Sequence, residues 1–430
     1  SGDVTCSICK EGFYLRDATA DGLFRNPTDY CKPCPTHASC SPGTTLASLG
    51  VDAGYWRASN SSTVLYECGP FGGESDQRSG KTRCTGGSEA GGNGDGYCET
   101  DFIGPECQLC TDGPETRYLV DGDTCEECPT FGAAMGKLVG LALGVCVACA
   151  LAGWAYSVQS GRQSWREKPC VGPSLRLADR AAVYYVGIGA TAKIKILIGF
   201  LQMAFVLIST YSARLPELLA RRVGINEALA FDAWCEAFLR PQCFSYSTRL
   251  LVFAFTPIVL IASFLLVGIG VRVRRWLVAT ASRPTCAEAV DTVMRGMFDL
   301  TPAGLVLVFC FVPSISAAIF RTWSCQAYDD PEQDDNMILY MRRDLSIECG
   351  SDDHKSTEHL AYFLIAIWPL GSLLLYGSLL IPCYKPLQAK TPTALTRATA
   401  FLHREYELTF YWWEALELAR KLTLTGAVLL

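Results

Sequence analysis

Five stretches of this chain, 133–158, 188–211, 250–271, 298–320 and 360–383, are apolar runs that each hold at most two charged side chains. A helix needs about 20 mostly apolar residues to cross about 30 Å of hydrocarbon. Helices suit that environment because lipid offers the backbone no hydrogen-bond partner. The five stretches are therefore expected to span a membrane, and a sixth apolar run begins at Leu422 and continues to Leu430. Buried helices of a large soluble protein share this pattern singly, but five of them separated by charged loops do not suit one soluble core. Half the residues are hydrophobic and 19% are charged, which is too apolar for an ordinary soluble chain of this length.

Residues 1–131 differ in kind. They hold twelve cysteines, Cys6, Cys9, Cys31, Cys34, Cys40, Cys68, Cys84, Cys98, Cys107, Cys110, Cys125 and Cys128. Turn-rich segments such as Ser41-Pro42-Gly43 lie between them, and little periodic apolar sequence is available to bury. Disulfides supply the constraint that such a module lacks, at about 2–4 kcal/mol each. The four C-x-x-C pairs also fit two zinc sites, but Cys40, Cys68, Cys84 and Cys98 would then be unexplained. Disulfides are the expectation, with connectivity left open, and no cofactor or metal is assigned. Asn60-Ser61-Ser62 is a glycosylation acceptor consistent with an exported module. Ser1 opens directly in cysteine-rich sequence and Leu430 closes inside an apolar run, so a signal segment and further chain are expected beyond these ends.

Two counts orient the membrane part, 132–430. With the cysteine module outside, loops 159–185, 272–297 and 384–409 are cytoplasmic and hold 14 basic against 6 acidic residues. Loops 212–246 and 321–357 are outside and hold 8 basic against 13 acidic residues. That excess of Lys and Arg inside is what the positive-inside rule requires. Cysteines agree: the outer loops carry the pairs Cys235 with Cys243 and Cys325 with Cys349, whereas Cys170 and Cys286 stand singly inside. Each outer pair is expected to bond within its own loop. The net charge of −6 points to no nucleic-acid partner.

The cysteine module reads Cys31-Lys-Pro-Cys34-Pro, Gly54-Tyr-Trp-Arg57 and Gly104-Pro-Glu-Cys107-Gln-Leu-Cys110. It resembles the ephrin-receptor-like or EGF-like repeats that precede the membrane region in large proteins of algae and other protists. Lys193-Ile-Lys-Ile-Leu-Ile-Gly-Phe-Leu-Gln202, Phe311-Val-Pro-Ser-Ile-Ser316, Ile319-Phe-Arg-Thr-Trp-Ser-Cys325 and Tyr411-Trp-Trp-Glu-Ala-Leu-Glu417 extend the resemblance over the membrane half. In layout these proteins are similar to TRP-like and polycystin-like cation channels. The resemblance implies a mainly α, multi-pass helical domain preceded by a small turn- and β-rich module.

The charges near the spans are the candidate functional residues. Lys193 and Lys195 open the second span and are expected to snorkel to the inner interface, with an ion or lipid-headgroup contact as the functional alternative. Glu417 precedes Arg420 by three residues and Lys421 by four, so self-neutralising pairs are expected on one helix face. Trp412 and Trp413 suit headgroup depth, and Glu414 with Glu417 is expected at the same interface. One helix over 401–421 is expected to lie along the inner surface and bend into the sixth span. Asp329, Asp330, Glu332, Asp334 and Asp335 form an acidic outer loop, either a cation-concentrating mouth or a solvated loop. The four histidines show no metal spacing, and no P-loop or nucleophile elbow is present, so no enzyme is expected. Residues 91–96 read as a flexible glycine loop, and Pro257, Pro313 and Pro369 interrupt spans without the inverted repeats of a transporter.

The expected function is a plasma-membrane channel or sensor whose outer module receives a contact or force. An adhesion or receptor protein whose helices only anchor and signal is the alternative. The expected partners are membrane lipids and other extracellular or membrane proteins, with room for oligomers.

Overall fold

The computed structural model describes residues 8–16, 30–68, 83–113, 116–121, 124–137, 139–140, 144, 190–211, 239–240, 242–279, 286–331 and 337–426. The chain divides into two compact units. The first gathers Ser1–Thr130, Arg240–Tyr246 and Thr322–Glu358, and the second gathers Phe131–Leu239, Ser247–Arg321 and His359–Leu430. The module expected over 1–131 is thus part of a larger disulfide unit that also takes in pieces of both expected outer loops.

The first unit is built of short antiparallel pairs. These are β1 (Phe13–Leu15) with β2 (Cys31–Pro33), β3 (Ala38–Ser39) with β4 (Gly50–Val51), and β5 (Tyr55–Trp56) with β6 (Tyr66–Glu67). Two more follow, β7 (Phe102–Ile103) with β8 (Leu109–Cys110) and β9 (Tyr118–Asp121) with β10 (Thr124–Glu127). Pairs this short are not stable alone, and disulfides hold them: Cys9–Cys31, Cys34–Cys40, Cys68–Cys84, Cys98–Cys107 and Cys110–Cys125. Cys6 lies outside the described residues.

A three-stranded meander completes this unit, β11 (Cys325–Asp329), β12 (Met337–Met341) and β13 (Asp344–Glu348). Tyr328 and Ile338 face each other across the first pair and join the same buried core as Trp56, Tyr97 and Phe102. The Tyr328 ring meets Trp56 edge-on at 5.4 Å and Tyr66 at 4.9 Å, an arrangement aromatic quadrupoles favour. Its hydroxyl donates to Glu106 Oε1 at 3.0 Å, and Ser62 Oγ donates to Asp329 Oδ2 at 2.8 Å.

Residues 239–246 are tied in covalently. Cys128 bonds to Cys243, not to a cysteine of its own module, so the expected Cys235–Cys243 bond is corrected. Cys235 itself lies outside the described residues. The reason for the pairing is geometric: Gln242 accepts from Val120 N–H at 3.1 Å and donates to Gln108 O at 2.7 Å. Those two bonds seat the neighbouring Cys243 with its Cα 5.3 Å from that of Cys128. Cys325 pairs with Cys349 across a Cα distance of 6.5 Å.

Arg57 organises the interior of this unit. Fully buried, it donates through Nε to Tyr97 OH at 2.5 Å and through its two amino nitrogens to the carbonyls of Leu46, Ala47, Leu49, Asn60 and Ser62. A guanidinium buried without a carboxylate is tolerated only when its fork of donors is matched in this way. The glycine run is not the flexible loop expected. Gly92–Tyr97 forms a tight turn, and Gly94 (φ +80°) lies so close to Trp56 that a Cβ there would meet Nε1 at 2.7 Å. Only glycine fits that position.

The second unit is helical: α1 (Ala190–Tyr211), α2 (Tyr246–Ala279), which starts at the last residue of the first unit, and α3 (Cys286–Phe320). Next comes α4 (Asp352–Ile365), running through a π-turn at Ala366–Leu370 into α5 (Gly371–Leu380). Among the described residues, three helical stretches, Tyr246–Arg274, Ala287–Trp323 and Asp352–Gln388, are long and apolar enough to cross a membrane. They contain the expected spans 250–271, 298–320 and 360–383. Span 188–211 falls on α1, most of 133–158 lies outside the described residues, and the sixth run is described to Gly426 only. Helices continue through Pro257 and Pro313, and Pro369 is absorbed in the π-turn. Gly268 and Gly296 let α2 and α3 touch: a Cβ on Gly268 would meet Gly296 O at 2.7 Å, and one on Gly296 would meet Ile269 Cα at 2.8 Å. Small residues at a crossing are how apolar helices pack without a hydrophobic drive.

Candidate functional site

After α5 the chain makes short helices α6 (Tyr384–Gln388), α7 (Ala394–Ala398) and α8 (Ala400–His403), then α9 (Trp413–Leu424). The single helix expected over 401–421 is broken between 404 and 412. Thr393 and Thr396 form a reciprocal capping box that starts α7, and buried His403 donates to Thr396 O at 3.2 Å. Burial pushes the His403 imidazole pKa down. This folded-back segment places Phe401 and Tyr406 beside Lys195.

Buried residues of α9 recur as Glu414, Leu418, Lys421 and Leu422, the i, i+4, i+7, i+8 spacing of one helix face. Glu414, only 2% exposed, takes an ion pair from Lys195 of α1 at 2.5 Å and a hydrogen bond from Tyr406 OH at 2.8 Å. Lys195 Nζ also donates to Phe401 O at 3.0 Å and stands 4.4 Å over the Phe401 ring. Burial and the adjacent Glu414 carboxylate raise the Tyr406 phenol pKa far above its ordinary value. Lys195 is therefore held by Glu414 and Phe401 and not free to snorkel, and Glu414 is buried with partners. Lys193, two residues earlier, is exposed.

The other charges divide differently from the expectation. Glu417 receives two hydrogen bonds from Arg420, at 2.9 and 2.5 Å, which hold its carboxyl below the usual range. Lys421 does not share in that pairing. It is 3% exposed and its amine lies 4.2 Å over the Phe309 ring of α3. Trp412 and Trp413 remain partly exposed. Lys195, Tyr406, Glu414, Glu417, Arg420 and Lys421 line a cleft of 760 Å³, with Ile196, Phe200 and Met203 on its apolar side.

Gln202, about two turns beyond Lys195 on α1, was not singled out from the sequence. Pro313 has no N–H for the carbonyl four residues earlier, which is that of Phe309. Gln202 Nε2 sits there, 3.4 Å from Phe309 O and 2.9 Å from Cys310 O. A glutamine in an apolar run and a proline in another, read together, are the only signal that could have found this link. Chemically, the site is a buried ionic latch that joins α1 to α9, with α3 as its aromatic wall. Opening it strands two buried charges.

In the first unit, Asn60 is exposed while Ser62 is fully buried. Of the acidic outer loop, Asp329 is taken up by Ser62 and Asp330 is 8% exposed; Glu332, Asp334 and Asp335 lie outside the described residues. Cys325, Cys349 and His354 lie together, but the two sulfurs are bonded to each other. The His354 ring is occupied by Thr322 O and Gly350 N–H. No protein-family model matches this chain, and no curated protein or solved structure matches it either.

Proposed function

We propose that this chain is part of a multi-pass plasma-membrane protein in which an outward-facing disulfide unit acts on a channel-like helical unit. The observation that carries the proposal is the membership of the disulfide unit. It includes the residues that lead into α2, leave α3 and begin α4. A contact or force on that unit is therefore applied to three helix ends at once. Arg240–Tyr246 and Thr322–Glu358 belong to the same compact unit as the cysteine module, which supports an outward address for these two segments, in keeping with the Lys and Arg bias of the remaining loops. The Lys195–Glu414 latch then supplies the two-state element on which a gate depends. The layout is similar to that of TRP-like and polycystin-like channels, and Asn60 serves as a glycan site on the outer unit.

Ion flux into liposomes holding the full-length protein tests this reading. The proposal expects cation flux above that of empty liposomes. Undiminished cell-surface binding together with no flux would replace it by the adhesion or receptor reading.

A further inference from the structure

We propose that the cleft between α1 and α9 binds a zwitterionic phospholipid, with the lipid phosphate on Lys421 and its acyl chains along Ile196, Phe200 and Met203. This rests on the reading of α1 as a membrane span.

Of the cations and the phenol on the polar wall, all but Lys421 are already used: Lys195 and Tyr406 on Glu414, and Arg420 on Glu417. Lys421 is different. It is 3% exposed and lines the cleft, yet no hydrogen-bond acceptor or carboxylate among the described residues pairs with its amine. Among the described residues its closest contact is the Phe309 ring, and Glu414 and Glu417 act on the amine through space without a hydrogen bond or ion pair to it, which leaves the donors of an ammonium group unmet. The room for it is built into α1: a Cβ on Gly199 would come within 2.9 Å of Lys421 Nζ. A buried cation kept free of protein acceptors is matched by oxygen acceptors from outside the protein.

The other wall selects the source of those oxygens. Ile196 and Phe200 are 72% and 67% exposed, and an inorganic phosphate has no use for that surface. The chains of a lipid do. The charge balance selects the headgroup: Lys195, Arg420 and Lys421 face Glu405, Glu414 and Glu417, so the wall carries no net charge. Once the two internal pairs are formed, Lys421 and Glu405 remain, one for a phosphate and one for a headgroup ammonium. Trp413, at the rim, offers a ring face to the same cation.

Native mass spectrometry of detergent-purified, delipidated full-length protein tests the site, with phosphatidylethanolamine, phosphatidylglycerol and inorganic phosphate as separate arms. Retention of phosphatidylethanolamine in preference to phosphatidylglycerol is expected, with no competition from phosphate. Lys421→Met, which keeps the apolar stem, is expected to weaken retention about tenfold, the loss of one charge-assisted hydrogen bond. Phe200→Gln changes only an exposed side chain and is expected to weaken it as well. Equal retention by wild type and both variants, or displacement by inorganic phosphate, overturns the proposal. Preference for phosphatidylglycerol overturns the headgroup assignment. Membrane extraction is scored in parallel: protein released by alkaline carbonate would fail the spanning reading itself, separately from the lipid site.

Discussion

Cys128 and Cys243 are joined by a disulfide that reaches across 115 residues of sequence, so the segment ahead of α2 is bolted to the end of the cysteine-rich module. A non-reducing peptide map should recover the Cys128–Cys243 cross-link together with Cys325–Cys349. Recovery of Cys235 linked to Cys243 would contradict the fold of this unit.

The interior of the same unit should depend on Arg57 as a planar fork and not as a charge alone. Arg57→Lys keeps the charge but cannot serve six acceptors. At about 1–3 kcal/mol for each buried group left unpaired, the variant should lose at least about 3 kcal/mol. Thermal unfolding of the full-length protein, compared with the surface variant Lys10→Gln, measures this.

Alkaline pH should unfold the disulfide unit through its tyrosines. Burial, with nearby carboxylates, raises Tyr328 well above the ordinary phenol value and pushes Tyr340 up to about 12. The unfolded chain ionises near pH 10 while the folded one stays protonated. Stability is therefore intact below about pH 10 and falls as pH rises from there towards the folded values. Phenolate absorbance should show a delayed, cooperative rise, and Tyr328→Phe should remove part of the loss at high pH.

The latch should behave as a unit. Glu414→Gln or Lys195→Met alone leaves one buried charge without its partner, at a cost of about 3–5 kcal/mol. The double variant Lys195→Met with Glu414→Gln should recover most of that. Glu417→Gln removes a half-exposed pair and should cost no more than about 0.5 kcal/mol. Thermal unfolding in detergent distinguishes these, and additive single effects in the double variant would contradict a coupled pair.

What could be read from the sequence follows from how local each signal is. Helices long and apolar enough to match a bilayer over 250–271, 298–320 and 360–383 were legible from composition alone. Disulfide chemistry was legible in the density of cysteines beside turn-rich sequence, but their even number did not mean a closed module: Cys128 finds its partner through Gln242, a contact that no spacing encodes. The strands around Tyr328 and Ile338 look like loop sequence because five residues between turns carry almost no periodicity. Charges were misassigned for a related reason. Helical spacing offers Glu417 to both Arg420 and Lys421, whereas Glu414 is claimed from another helix by Lys195, and Lys421 rests on Phe309.

Gating by the disulfide unit can be read from current in membrane patches holding the full-length protein, before and after loss of the bond that ties that unit to the segment ahead of α2. With Cys128 and Cys243 both changed to alanine, the account expects the same unitary conductance with an altered opening probability, because the permeation path is untouched and its control is loosened. Currents of identical conductance and identical opening probability in the two proteins would contradict it.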